Sequence, residues 1–219
     1  MNAAQAKEQG FTLVEIAIVL VIIGLLLGGI LKGQEMITQA KIKNVVSDFS
    51  GVSAAYYGYQ DRYRAIPGDD INAGSRWTVA PPAVPGSGDA VIAGKYNSQT
   101  DGDESRKWWD HLRRAGFVSG SGYSQPINAV AGIIGVQTGN GAAPPTGTIM
   151  GGIPGLVVCS TNLPDKIAIA VDTQMDDGSP DKGTVRGDSQ GGANPDLDDA
   201  LPSGYQETGT NIYVVCRAM

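Results

Sequence analysis

The run from Ile16 to Leu31 contains sixteen residues and not one polar side chain. No surface helix of a soluble domain tolerates an apolar surface on every face over that length. Counted from Phe11 the segment has twenty-one residues, enough to cross a hydrocarbon layer of about 30 Å as a helix. One carboxylate, Glu15, sits just inside its N-terminal edge. An ordinary secretory signal has a shorter apolar stretch followed by a small-residue cleavage site. Here the run ends in Leu31-Lys32-Gly33-Gln34-Glu35, which is no such site. A plain membrane anchor fits the length but leaves Glu15 without a reason.

The string Gly10-Phe11-Thr12-Leu13-Val14-Glu15, with the apolar run directly behind it, resembles the processing motif of type IV prepilins. Type IV pilins and the pseudopilins of type II secretion share this motif. The likeness is close over about thirty residues and extends as a long-helix layout to about residue 63. The resemblance implies cleavage after Gly10 by a membrane prepilin peptidase/N-methyltransferase, N-methylation of the new terminus at Phe11, and assembly with other pilin subunits. It assigns Glu15 to assembly, through the terminal amine of a neighbouring subunit.

The residues support that assignment by themselves. A carboxylate inside an apolar membrane segment costs free energy and by default marks function. Before cleavage residue 11 offers only an amide; afterwards it carries an α-amine that is largely cationic at neutral pH. Cutting the chain thus creates the charge that Glu15 can meet. Gly24 and Gly28 stand four apart, and Gly29 and Gly33 repeat the interval. Small-xxx-small faces let helices approach closely in lipid, although a glycine-rich chain also produces such spacings by chance. Many pilins carry a proline near the end of this run; here the first proline is Pro67.

Beyond the apolar run, Ile42, Val45, Phe49, Val52, Tyr56, Tyr59 and Tyr63 recur at intervals of three and four, the stripe of a helix with one buried face. Lys41, Lys43, Asp48 and Gln60 fall opposite. One helix from Phe11 to Tyr63 is about 80 Å long at its normal rise, with a transmembrane half and an amphipathic half. Pro67-Gly68 then imposes a turn. The expected organisation is a leader over 1–10, a helix over 11–63 whose first part (11–31) serves as membrane span and filament core, and a loop-rich head over 64–219. The fold class is α+β and type IV pilin-like: the long helix packs on a small antiparallel sheet with a C-terminal disulfide loop.

Within the head, 71–102 reads as loop, and Glu104 to Ala115 as a short helix with Trp108, Leu112 and Ala115 inward and Gly116 as its stop. Val130–Val136, Leu156–Cys159 and Ile212–Cys216 read as strands. Asn162-Leu163-Pro164-Asp165 looks like a helix start, and Ile167, Val171 and Met175 then fit one helical face, although Ile167-x-Ile169-x-Val171 also fits a strand. In a chain with an export-type N-terminus a lone cysteine pair, Cys159 and Cys216, reads as a disulfide, with two free buried thiols as the alternative. In pilins a similar disulfide loop bounds an exposed, variable region.

From Asp165 to Glu207 there are ten acidic residues against Lys166, Lys182 and Arg186. Acids at a helix C-terminus oppose its dipole, so Asp172, Asp176, Asp177 and Asp181 are candidate ligands for calcium, with Lys182 and Arg186 the alternative compensation; no other cofactor is expected. Asn97 to Asp103 echoes a calcium loop but lacks the closing Glu. His111, the only histidine, reads as a surface helix residue.

One histidine, no nucleophile motif and no zinc spacing leave nothing from which to build a catalytic site, so the chain is expected not to be an enzyme. A net charge of −6 and the lack of a basic-aromatic stripe give no specific nucleic-acid signal. The expected function is that of a structural subunit of a bacterial type IV pilus or pilus-like filament. It would be held in the inner membrane as a prepilin and displayed on the cell surface after assembly. Alternatives are a type II secretion pseudopilin in a periplasmic pseudopilus, or a membrane-anchored periplasmic binding domain with Trp77, Trp108 and Trp109 lining its site.

Overall fold

The structure, a computed structural model, describes residues 11–139, 149–197 and 204–219. Helix α1 runs without a break from Leu13 to Tyr63. The chain separates into two compact units between Ala40 and Lys41, so the amphipathic half of α1 is part of the head. Its buried residues are Ile42, Val45, Phe49, Val52, Ala55 and Tyr59; Tyr56 and Tyr63 are half-buried. The helix stops at Arg64, whose φ of 53° is the left-handed geometry of a helix terminus. The turn that follows is tied back to the helix: Tyr59 donates its hydroxyl to Asp70 Oδ2 at 2.6 Å, and Arg76 pairs with the same oxygen.

The single-turn helix α2 (Ala73–Arg76) interrupts the expected loop. Helix α3 (Glu104–Arg114) follows the expected span, and Gly116 stops it with a φ of +80°. Four strands, β1 (Ile134–Thr138), β2 (Leu156–Pro164), β3 (Val185–Ser189) and β4 (Ile212–Ala218), form an antiparallel sheet in the order β1-β2-β4-β3. Helix α4 (Asp165–Met175) lies between β2 and β3 in the chain.

Three further details differ from the sequence reading. Strand β1 begins at Ile134 and not at Val130, because Asn128 Oδ1 accepts the N–H groups of Val130 and Gly132 and Ala131 has a φ of 61°. That tight turn precludes extended chain. Strand β2 continues through a bulge between Ser160 and Leu163 straight into α4, so Pro164 and not Asn162 stands at the helix start. Strand β3 has no apolar alternation to announce it; only Val185 in it is hydrophobic.

Both faces of the sheet are covered. Val158, Tyr213 and Val215 pack with the α1 stripe, Trp108, Trp109 and Leu112 of α3, and Ile167 and Val171 of α4. Val157, Cys159, Val214 and Cys216, which alternate with them, form a second core with Tyr96, Met150 and Ile153. Burial on both faces explains why β2 and β4 read as continuous apolar runs.

Candidate functional site

The N-terminal segment is the first site to consider. Gly10 lies outside the described residues. Phe11 is exposed and Thr12 immediately precedes α1. Thr12 donates both its N–H and its hydroxyl to Glu15 Oε2, each at 2.8 Å. The Glu15 N–H returns a bond to Thr12 Oγ1 at 3.3 Å. This reciprocal Thr-x-x-Glu arrangement is a capping box, which satisfies orphan donors of the first helical turn. The Thr-x-x-Glu signature of such a box is present in the sequence at Thr12 and Glu15. Glu15 Oε1 has no donor among the described residues, so one oxygen is free for a second partner.

From Ile16 to Leu31 the side chains are exposed. A Cβ added at Gly24, Gly28, Gly29 or Gly33 would meet no atom within 4 Å. The chain itself thus leaves these glycine positions open, a surface that lipid or another helix can approach.

The cysteines are joined. Cys159 faces Cys216 in the β2–β4 register, their Cα atoms 4.0 Å apart, in a disulfide. The bond lies in the second core, on the sheet face opposite α1, and is fully buried.

The four aspartates considered for calcium are engaged separately. Asp172 is fully buried and accepts from Tyr205 Oη at 2.7 Å and Gly178 N at 3.0 Å. Asp176 accepts Val185 N at 2.9 Å, together with the N–H and hydroxyl of Thr184. Those amides hold its carboxyl below the usual range. Asp177 accepts Ser179 N, and Asp181 accepts Ser179 Oγ, both at 2.9 Å. Backbone donors at the start of β3 thus answer Asp176 at the end of α4, while the turn directly after the helix serves Asp172 and Asp177.

Among the described residues the carboxylates that converge are Asp69, Asp89 and Glu104. Asp69 takes the N–H groups of Gly88, Asp89 and Ala90, and Glu104 takes those of Ser87 and Ala93. Asp69 and Glu104 therefore act as the anchors around which the 87–93 loop is wound.

His111 is not a surface residue. It is 0% exposed, Nδ1 accepts Gly68 N–H at 2.9 Å, and Nε2 lies 2.9 Å from Val84 O. Only the neutral Nε2–H tautomer satisfies both bonds. Burial lowers its pKa, opposed by the Val84 carbonyl and by Asp70 and Asp110. The sequence pattern could not expose this, because both partners lie on distant loops. Trp108 and Trp109 are fully buried, with no acceptor for their indole N–H groups among the described residues. Trp77 packs between Tyr59, Tyr63 and Arg76. Helix packing occupies all three tryptophans.

The family model for the prokaryotic N-terminal methylation motif matches residues 5–31. Comparison with curated proteins and with solved structures yields no match. The matched segment holds the Gly10–Phe11 junction, Glu15 and the apolar run, and the head behind it has the long helix, antiparallel sheet and disulfide of a pilin-like fold. The chain thus carries the prepilin signature of the type IV pilin and pseudopilin family.

Proposed function

We propose that this protein is a structural subunit of a bacterial type IV pilus or pilus-like filament. A prepilin peptidase/N-methyltransferase cleaves it after Gly10 and methylates Phe11. The chain waits in the inner membrane on its apolar segment and then joins other subunits through the same segment. It is a substrate of processing and not an enzyme. The observation that carries this reading is the methylation motif over residues 5–31, with Glu15 one turn inside the new terminus.

Cleavage places a cationic amine beside an apolar layer that already contains a carboxylate. Glu15 keeps one oxygen on Thr12 and offers the other to the amine of a neighbouring subunit. The head, stabilised by its own cores and disulfide, then forms the outer surface. The cysteine pair near the C-terminus favours a pilus subunit over a pseudopilin. The test is mass spectrometry of the mature N-terminus together with imaging of filaments. A chain lacking ten residues and bearing a methyl group on Phe11 is expected within surface filaments. An intact Met1 terminus would return the chain to a simple membrane anchor.

A further inference from the structure

Arg113, near the end of α3, is a half-buried guanidinium that forms no ion pair among the described residues. It donates Nε to Ser119 O at 3.2 Å and Nη1 to Gly122 O at 2.7 Å, so it shapes the turn that follows α3. Its Nη2 has no acceptor among the described residues. Arg114 beside it pairs through Nε with Asp110 at 2.6 Å and donates Nη2 to Pro81 O at 2.9 Å, leaving Nη1 without an acceptor there. Both line a groove of about 510 Å³ with Val79, Pro81 and Tyr123. The Tyr123 hydroxyl and the backbone N–H groups of Ser121, Gly122 and Tyr123 likewise have no acceptor among the described residues.

The carboxylate near Arg113, Asp110, is bonded to Arg114, and a partly desolvated guanidinium that shares one carboxylate with a second is incompletely compensated. Here it stands among unused donors, in a cavity of the size that small ligands occupy. We propose that this groove binds a small carboxylate-bearing ligand, with the paired guanidiniums taking the carboxylate and Val79 and Pro81 contacting its apolar portion. Two guanidiniums and the Asp110 carboxylate leave a single positive charge, which suits a monoanion better than a dianionic phosphate. The fork of an arginine matches the two oxygens of a carboxylate.

The test is calorimetric titration of the full chain in detergent micelles with N-acetyl-L-leucine, against blank micelles. The neutral N-acetyl-L-leucinamide and inorganic phosphate serve as parallel probes. Saturable binding of the carboxylate is expected, at least tenfold tighter than that of the amide, with a shift of the Arg113 Nε–H resonance in labelled protein. Arg113→Gln should weaken it tenfold or more. Because that variant also loses bonds to the 119–122 turn, Tyr123→Phe, which removes only a hydroxyl, is measured beside it and should weaken binding several-fold. Equal binding of acid and amide, preference for phosphate, an unmoved Arg113 resonance, or full affinity in Tyr123→Phe would each overturn the proposal. These outcomes concern the head alone and leave filament assembly a separate question.

Discussion

Tyr205 donates its phenolic hydrogen to Asp172 Oδ2 across 2.7 Å, joining the segment before β4 to the buried face of α4. The ring of Tyr205 lies over Gly187 of β3, where an added Cβ would stand 2.3 Å from the hydroxyl oxygen. It meets Tyr213 edge-on with centroids 5.1 Å apart. Seven residues earlier on α4, Asp165 Oδ2 accepts the N–H groups of Thr208 and Gly209 at 2.8 and 2.6 Å. Two carboxylates on one helix thus hold the same returning segment within the disulfide loop.

Burial pushes the Asp172 carboxyl up to about 6, with Asp177 and Asp176 adding to the rise and the bonds from Tyr205 and Gly178 opposing it. A raised acid pKa means that folding favours the protonated form. Its contribution is complete below the unfolded value near 4 and lost as pH rises through 6. A rise of this size corresponds to at most about 3 kcal/mol. Denaturant unfolding between pH 4 and 8 should therefore show that Asp172→Asn gains stability relative to the parent as pH rises. A difference between the two that is independent of pH would refute the assignment.

His111 works in the opposite direction over the same range. Its folded pKa lies below the ordinary histidine value, so its contribution is present above about pH 6.5 and declines as the unfolded chain takes up a proton below it. Nitrogen NMR should find the ring neutral with hydrogen on Nε2 at pH 6. His111→Ala, which orphans Gly68 N–H and opens a cavity, should cost about 3 kcal/mol.

Removing the Cys159–Cys216 bond should destabilise the head without changing its sheet order. The bond closes a sequence separation of 57 residues, for which chain entropy gives about 4 kcal/mol. Replacing both cysteines by alanine should lower the denaturant midpoint accordingly while far-ultraviolet circular dichroism keeps its strand signal. Loss of that signal would mean that the bond is required to form the sheet.

At the N-terminus, Glu15→Gln separates two roles of one side chain. Glutamine serves in a capping box as glutamate does but carries no charge. Gly10→Val should block processing, whereas Glu15→Ala and Glu15→Gln should both be cleaved and both fail to assemble. Normal filaments from Glu15→Gln would leave capping as the function and remove charge pairing from the mechanism.

The elements legible in advance are those with long, local signals. The stripe from Ile42 to Tyr63 and the stop at Pro67-Gly68 announce α1, and the Trp108–Leu112 spacing announces α3. β3 was not legible because its place on the edge of the sheet comes from pairing with β4, not from its own residues. The start of β1 was displaced by one asparagine side chain, whose bonds to Val130 and Gly132 are invisible to periodicity.

By itself the sequence determined the methylation motif over residues 5–31 and the membrane-length helix, because each rests on an uninterrupted run of neighbouring residues. Tertiary structure alone decided that His111 is buried between two loops, that Asp172 is sealed under Tyr205, and that Asp69 and Glu104 anchor the 87–93 loop. It also decided that Arg113 forms no ion pair among the described residues, its neighbour Asp110 being bonded to Arg114. The physical reason is common to all four. Burial and hydrogen-bond partnership are set by segments distant in the chain, and a polar residue's type does not say which of them will meet it.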